Sequence, residues 1–269
     1  MAAARKAPPG PFPAPGGEAM AMLVRRGLRP RRARRDLPFP PDLDEAAASR
    51  ISERLGHYAF RLFLRGAILS GGPFLPREAT RYVSAAEARG LAEGLVELGL
   101  AVRAEGGRYR LCWPANSFGG VLEWWVGREI GRRLECEVAT GVRSGSPGVG
   151  GDLDVLAAPE GKLVYVELKS SPPKHIDEAQ VASFLRRVRA LRPSVTVFAV
   201  DTALRLSDKV VPLLKRAVAA SDPALPRRLF RDNWALAPHL YAVNARQNFV
   251  ENICSAIADG LLSLSPPAP

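Results

Sequence analysis

The chain contains few cysteines and histidines and no long uncharged apolar run. Its three cysteines, Cys112, Cys136 and Cys254, are scattered along 269 residues, so neither a disulfide framework nor a cysteine-rich zinc site is expected. The isolated histidines show no spacing typical of a catalytic triad or a metal cluster. Because no apolar run is long enough to span a bilayer and no signal-like region begins the chain, we expect a cytoplasmic protein without a membrane partner.

Acidic residues are outnumbered by basic ones, which favours polyanionic partners. The chain holds 38 Lys and Arg against 27 Asp and Glu, giving a formal net charge of +11. Because such an excess attracts phosphate groups, nucleic acid is the first partner to consider. Residues 1–36 alone carry nine basic and two acidic residues, so the remaining chain is only mildly basic. Total charge is therefore a weak argument for DNA binding.

Composition and periodicity divide the chain into four segments. Residues 1–40 are rich in Pro, Gly, Ala and Arg and are predicted to form a disordered basic tail, because Pro removes backbone donors and Gly raises the entropic cost of ordering. Its Arg-rich piece, 25–35, is either a nucleic-acid-binding arm or a solvated tail. The other segments are a mainly helical module (41–115), an α/β domain with a C-terminal extension (116–263) and a Pro-rich tail (264–269).

Helical spacing followed by a glycine turn characterises the second segment. One long amphipathic helix is predicted over 46–69, and Ser84 with Glu87 three positions later is the signature of a capping box. Alternation around the turn 105–107 predicts a β-hairpin. Helices followed by a hairpin resemble a winged helix-turn-helix domain, and this resemblance rests on pattern rather than on a motif.

The charges of this winged-helix-like module leave two roles open. The wing carries Arg103, Arg108 and Arg110, which could contact a DNA backbone. The expected recognition helix, however, carries three acidic residues, Glu87, Glu93 and Glu97, and one basic residue, Arg89. A helix with a net negative charge fits poorly into a groove lined by phosphates. A packing or dimerisation module is the alternative.

Residues 118–201 show the order helix, three strands, helix and strand. The first helix places apolar residues four positions apart from Leu122 to Leu134, and a second helix is predicted from about Asp177 to Leu191. Strands are predicted at 135–142, 152–158, 162–168 and 194–200. A helix (207–220), a strand (240–244) and a last helix (247–262) follow as an extension of the same sheet.

Two of these strands carry acidic residues and a lysine. In the segment 152–155, Asp152 and Asp154 are expected on one face of the sheet and the two apolar residues on the other. In the next strand, Glu167 and Lys169 share a face for the same reason. A short turn joins the two strands, and pairing them as a hairpin would bring Asp154 close to Glu167.

Carboxylates at the ends of apolar strands are costly to desolvate unless a partner neutralises them. A divalent cation would be such a partner, and hard oxygen ligands favour Mg²⁺, for which Mn²⁺ can substitute, over Zn²⁺. The expected ligands are Asp154, Glu167 and the main-chain carbonyl of Leu168. Such a site can orient a water and stabilise charge on a phosphoryl oxygen, with assistance from Lys169. The alternative is a structural ion-pair network without a metal.

This combination resembles the P-D-(D/E)-x-K nuclease superfamily, in particular its restriction-endonuclease-like branch, which includes Holliday junction resolvases. Asp154 matches the first acid of the motif and Glu167, Leu168 and Lys169 match the E-x-K tripeptide, although Leu153 stands where the motif has Pro. The resemblance implies a restriction-endonuclease-like αβββαβ core. It also implies a Mg²⁺-dependent deoxyribonuclease with Asp154, Glu167 and Lys169 as catalytic residues.

Residues on the flanking helices extend the site that the resemblance implies. The family often has a catalytic Glu on the helix before the sheet, a position that Glu123 matches and for which Glu129 competes. An ordinary surface carboxylate is the alternative for either residue. Gln180 matches a polar residue on the later helix, and Asp152 is expected to be an accessory residue at the strand end.

Two classes of function remain open from the sequence. The first is hydrolysis of DNA phosphodiester bonds. Proteins of this superfamily often cut duplexes as dimers, so a homodimer is one assembly to consider, and the sequence leaves the oligomeric state open. The second is a non-catalytic DNA-binding, regulatory or interaction protein on a decayed nuclease core. A subunit of a repair or defence complex belongs to this second class.

Overall fold

A mixed sheet between two layers of helices forms the centre of the computed structural model, which describes residues 17–33, 36–146, 149–218 and 225–264. Its strands are β1 (Pro30–Arg32), β2 (Ala101–Arg103), β3 (Tyr109–Leu111), β4 (Val138–Ser144), β5 (Asp152–Ala157), β6 (Val164–Lys169), β7 (Val195–Val200), β8 (Arg227–Arg228), β9 (Trp234–Ala237) and β10 (Leu240–Asn244). Its helices are α1 (Gly17–Arg25), α2 (Glu45–Gly56), α3 (Tyr58–Leu69), α4 (Pro76–Ala79), α5 (Ala85–Glu97), α6 (Gly119–Arg133), α7 (Glu178–Leu191), α8 (Val210–Val218) and α9 (Phe249–Leu262).

The central sheet has eight strands in the order β1-β4-β5-β6-β7-β10-β9-β8. β7 is parallel to both of its neighbours, β6 and β10, and the other neighbouring strands are antiparallel. From α6 to β7 the chain follows the order α6-β4-β5-β6-α7-β7, so the α/β class and the predicted α-β-β-β-α-β order are confirmed. β2 and β3 pair separately as the predicted hairpin.

Both faces of the sheet are buried beneath helices. All six residues of β7 are buried, with Val195, Val197 and Ala199 in the apolar cluster on one face and Phe198 and Val200 in the cluster on the other. A continuous apolar run is typical of a parallel strand covered on both sides. Helices α2, α3, α5, α6 and α9 cover the first face, which we call the α6 face. Helices α1, α7 and α8 cover the second, the α7 face.

The predicted disordered tail over 1–40 is wrong for the residues that the structure describes there. Residues 17–25 form α1, whose Met20 and Leu23 are buried in the cluster on the α7 face. β1 then pairs with β4 at the edge of the sheet. The short apolar stretch from Met20 to Leu23 gains enough burial to order a segment whose average composition is that of a tail. Residues 1–16 and 34–35 lie outside the described residues, as do 265–269 of the predicted Pro-rich tail.

The single long helix predicted over 46–69 is instead two helices, α2 and α3, which meet at His57. The backbone of His57 is extended, with φ −83° and ψ 120°. The guanidinium of Arg61 donates to the carbonyl oxygens of Leu55 at 2.6 Å and Gly56 at 3.2 Å. These carbonyls at the end of α2 lack helical partners, so the buried arginine stabilises the break.

Helix ends follow the capping signals of the sequence. Ser84 Oγ accepts the amide of Glu87 at 3.2 Å, and the Glu87 carboxylate accepts the amide of Ser84 at 2.8 Å, so the predicted capping box is confirmed. Asp177 caps α7 by accepting the amide of Gln180 at 2.8 Å. Within the described ranges, none of the helices combines the length and the apolar character needed to cross a membrane.

Candidate active site

The two strands that carry the predicted motif separate at the point where its acidic residues lie. The ladder between β5 and β6 ends with Val155 opposite Val166. One residue further, the carboxylate of Asp154 accepts the main-chain amide of Leu168 at 2.7 Å. An aspartate side chain therefore takes the place of a backbone partner. We call this place, where β5 and β6 diverge, the fork.

The fork arises from an irregularity shared by β4 and β5. Thr140 pairs with Val155 and Val142 pairs with Leu153, so Gly141 lies opposite Asp154. Gly141 has a φ of +60°, in the left-handed region that favours glycine. Leu153 consequently packs on the α7 face and Val155 on the α6 face. The expectation that these two apolar residues share a face is thus wrong, because the strands twist out of regular alternation at Asp154.

Glu167 is the most heavily bonded residue of the fork. Its side chain is only 2% exposed and lies on the α7 face. Oε1 accepts Lys169 Nζ and a guanidinium nitrogen of Arg187, each at 2.7 Å, and Oε2 accepts the hydroxyl of Tyr165. The prediction that Glu167 and Lys169 share a face is confirmed by their ion pair. A carboxylate offers about four lone-pair positions, so these three donors leave room for one more partner.

Arg187 of α7 is the site residue that the sequence reasoning missed. Its side chain is 8% exposed. Besides Glu167, it donates to the hydroxyl of Tyr165 at 3.0 Å and to Ser183 Oγ at 3.1 Å. Burial and the nearby Glu167 raise the pKa of Tyr165 well above its usual range, so Tyr165 stays a neutral donor. The available signal was an arginine placed among the apolar residues Phe184, Leu185 and Leu191 of the buried stripe of α7.

Asp154 is half-buried and lies among like charges. Burial first, and then the charges of Glu167 and Glu123, raise the pKa of the Asp154 carboxyl well above its usual range, while the Leu168 amide and Lys169 oppose the rise. Glu123 lies on α6, which covers the face of the sheet opposite to that of Glu167. The charges of two other carboxylates thus act on Asp154, and Lys169, whose side chain is 20% exposed, lies at the solvent side of the fork.

The structure separates Glu123 from its competitor. Glu129 accepts the hydroxyl of Ser52 at 2.6 Å and pairs with Arg132 at 3.0 Å and Arg133 at 3.3 Å. These contacts tie Glu129 to α2 and to its own helix. Of the two glutamates, Glu123 is the one whose charge acts on Asp154.

Two accessory residues named from the sequence lie outside this cluster. Asp152 forms a cross-strand ion pair with Arg143 at 2.6 Å, and both side chains are largely exposed. Gln180 is exposed in the first turn of α7, where its main-chain amide donates to the capping carboxylate of Asp177. The residue of α7 that contacts Glu167 is Arg187, about two turns further along the helix.

Two wing arginines are occupied by contacts within the helical module. Arg103 pairs with Glu93 at 2.5 Å, and Arg108 lies 3.6 Å from Glu78 and donates to the carbonyl of Pro73 at 3.1 Å. Arg110 is exposed on β3. The charges of Arg103 and Arg108 are therefore compensated on the module itself.

The donors at the fork fit a hard divalent cation in chemistry. Asp154 and Glu167 supply carboxylate oxygens, and the carbonyl of Leu168 points to the same side of β6 as its amide, which is the side of Asp154. Burial and the charges of Glu167 and Glu123 destabilise the Asp154 carboxylate, and a bound cation would offset that cost. In the described part of the chain, no group of three or more His, Cys, Asp and Glu side chains is already arranged as a metal site.

Comparison with known proteins adds a likeness of fold. No protein-family model matches the chain, and no curated protein matches it in sequence. The crystal structure of protein VC1899 from Vibrio cholerae matches with a TM-score of 0.56 and 15% identity, over 90% of this chain and 62% of that chain. The structure of Can2 from Sulfobacillus thermosulfidooxidans in complex with cyclic tetra-adenylate matches with a TM-score of 0.45 and 14% identity, over 90% and 60%. The chain thus spans about three fifths of the length of these two structures.

Proposed function

We propose that the protein is a metal-dependent nuclease that hydrolyses DNA phosphodiester bonds at the fork between β5 and β6. The observation that carries the proposal is the position of Asp154 where two strands diverge, because it accepts the amide of Leu168, the residue between Glu167 and Lys169. These residue types supply metal ligands and a cation for charge that develops on phosphorus. The order of elements around them, α-β-β-β-α-β, is the one that the resemblance to the nuclease superfamily implies.

Asp154, Glu167 and the carbonyl of Leu168 would hold the metal, and Glu123 would support it from the α6 face. Oxygen donors of this kind favour Mg²⁺, with Mn²⁺ as a substitute. When bound, such a cation would supply Lewis acidity at a phosphoryl oxygen and would lower the pKa of a coordinated water. The raised pKa of Asp154 supports this assignment, because carboxylates that repel one another gain most from a cation.

Lys169 and Arg187 both donate to Oε1 of Glu167, but they differ in exposure. Arg187 is buried and holds one edge of the Glu167 carboxylate, so it is a positioning residue. Lys169 is partly exposed, and its ammonium can reach both the carboxylate and a group in the solvent-facing part of the fork. There it would orient the attacking water or offset negative charge on the phosphoryl group.

A matched pair of variants tests this function. Asp154→Asn should abolish Mn²⁺ binding in calorimetry and cleavage of plasmid DNA, because it removes a ligand charge while preserving the size of the side chain. Asp152→Asn should change neither, since Asp152 lies two residues away on the same strand in an exposed pair with Arg143. Circular dichroism should show that both variants are folded. Equal cleavage by the wild type and Asp154→Asn would refute the assignment.

A second candidate is a non-catalytic protein in which Glu167 belongs to a structural ion network. The observation that favours it is that Glu167 already accepts three donors, Lys169, Arg187 and Tyr165. In that case the wild type should bind no Mn²⁺, with or without DNA. Glu167→Gln should then lower the free energy of unfolding, measured in urea, without changing DNA affinity.

A further inference from the structure

A groove lies beside the fork, between the helical module and the sheet. Helices α3 and α4 form one wall, and the segments that follow β6 and β7 form the other. Its volume is about 860 Å³. The main-chain amide of Asp201 donates to the carbonyl of Lys169 at 2.8 Å, and Arg65 donates to the carbonyl of Ser170. Two residues that line the groove, Arg65 and Asp201, thus contact the backbone at Ser170 and Lys169, next to the fork.

The shape of the groove is fixed by direct packing of backbone on backbone. A Cβ atom added to Gly66 of α3 would lie 1.7 Å from the carbonyl oxygen of Ala79 in α4. On the opposite side, Arg61 of α3 forms a buried ion pair with Asp201 at 2.8 Å. The two walls are thus held by contacts that do not depend on an occupant.

Four cations line the groove, against two acids among the described residues of the same lining. They are Arg65, Arg77, Arg81 and Lys174, and all but Arg65 are exposed. Of the two acids in the same lining, Asp201 is buried in its pair with Arg61. The other, Glu78, accepts the amide of Leu75 at 2.9 Å and lies 3.6 Å from Arg108. The groove therefore presents a positive rim that is complementary to phosphate groups.

Large apolar side chains lie exposed between these cations. Leu69, Tyr82 and Leu204 are 66%, 65% and 60% exposed, and all three line the groove. Arg81 stacks on the ring of Tyr82, with its guanidinium carbon 5.4 Å from the ring centroid. The hydrogen bond and charge of Arg81, followed by the charges of Lys174 and Arg65, lower the pKa of the Tyr82 hydroxyl. One aromatic ring thus contacts one of the four cations directly.

We propose that this groove binds an unpaired stretch of nucleic acid that leads into the fork. Phosphates would contact the basic rim, and bases would stack on Tyr82 and pack against Leu69 and Leu204. Apolar and aromatic side chains between cations fit exposed base faces, whereas a duplex keeps its base faces stacked inside and offers only phosphates and groove edges. The inference rests on the proposed nuclease function, for which it specifies the form of the substrate.

Fluorescence anisotropy of the full chain in EDTA tests the inference without hydrolysis. A short fluorescent oligothymidine should bind more tightly than a duplex of equal length. Tyr82→Ala should weaken that binding about tenfold, because stacking on an aromatic ring contributes ~1–3 kcal/mol per base and 1.4 kcal/mol corresponds to tenfold. Arg81→Gln with Lys174→Gln should reduce the slope of log affinity against log salt by about 1.4, since each phosphate contact to a single strand contributes about 0.7.

Matched surface variants control for nonspecific effects. Arg50→Gln removes an exposed cation of α2, and Leu262→Ala removes an exposed leucine of α9 that is 74% exposed. Neither residue lines the groove, so both variants should bind oligothymidine as the wild type does. Leu204→Ala, the groove counterpart of Leu262→Ala, should bind it more weakly.

The outcomes distinguish this inference from the proposed function. Equal or tighter binding of the duplex, unchanged binding in the Tyr82→Ala and Arg81→Gln/Lys174→Gln variants, or no binding of either oligonucleotide would overturn the inference. The last outcome would instead favour a protein partner for the groove. If the groove variants lose binding while the wild type cleaves no DNA with Mn²⁺, the inference holds and the nuclease proposal fails. If the wild type cleaves DNA with Mn²⁺ and the groove variants cleave it equally well, the nuclease proposal holds and the inference fails.

Discussion

Arg187 is the residue through which the buried charge of Glu167 can be tested most directly. Arg187→Met keeps an aliphatic chain of similar length and removes the guanidinium, which lies 2.7 Å from Glu167 and 3.0 Å from the Tyr165 hydroxyl. Removing one partner of a buried ion pair costs about 3–5 kcal/mol. Because Lys169 still pairs with Glu167, we expect the low end of that range, about 3 kcal/mol.

Equilibrium unfolding in urea provides the assay, with Arg187→Met, Glu167→Gln and the double variant compared with the wild type. The double variant removes both charges, so it should lose less stability than the sum of the single losses, with a coupling energy of about 1–3 kcal/mol. Arg189→Met serves as the control, because Arg189 is an exposed cation on the same helix. Its effect should stay within about 0.5 kcal/mol.

Additive losses would refute this reasoning. If the double variant lost the sum of the two single effects to within about 0.5 kcal/mol, Arg187 and Glu167 would not be coupled. The positioning role of Arg187 would then have no energetic basis. A loss of similar size in Arg189→Met would instead show that α7 is sensitive to any change of charge.

Other substitutions test individual contacts of the fold. In EDTA, Asp154→Asn should stabilise the protein at neutral pH. Because the pKa of Asp154 is raised in the folded protein, the native state binds the Asp154 proton more tightly than the unfolded chain does. The stability of the wild type therefore falls as the pH rises through and above the ordinary carboxyl pKa. Urea unfolding at several pH values should show that the stability gained by Asp154→Asn disappears below that ordinary pKa. Asp201→Asn should cost about 3–5 kcal/mol in the same assay, because it leaves the buried Arg61 without its carboxylate, and a loss under 1 kcal/mol would contradict this. Gly127→Ala should cost about 1–3 kcal/mol, since its Cβ would lie 2.4 Å from Thr140 Cγ2, and adding Thr140→Ser should restore part of the loss in thermal melts.

Short-range order along the chain explains which parts of the site the sequence predicts correctly. Glu167 and Lys169 share a face because the period of a strand is two, and their 2.7 Å ion pair confirms it. Asp154 lies next to this part of β6 because a short turn fixes the register that pairs Val155 with Val166. Both inferences need only the strand period and a turn.

Tertiary contacts determine what the sequence does not predict. Arg187 meets Glu167 only because α7 packs on one face of β6, which brings together residues 20 positions apart. The reversal of faces at Leu153 depends on the left-handed backbone of Gly141 in another strand. α1 is ordered because it is buried against β4 and β5, and the average composition of a segment does not reveal such a contact. In each case the information lies in a partner distant along the chain.

The helical module and the sheet share one core, which changes how the module can contribute to function. Buried residues of α3 and α5, such as Phe63 and Leu95, belong to the same continuous cluster as Val166 of β6 and Val197 of β7. The Arg61–Asp201 pair joins the two parts at the carboxyl end of β7, next to the fork. Removing 41–115 would expose this cluster and leave Asp201 without its cation, and such losses are costly. The module is therefore packed into one structural unit with the sheet, and its helices α3 and α4 form one wall of the groove.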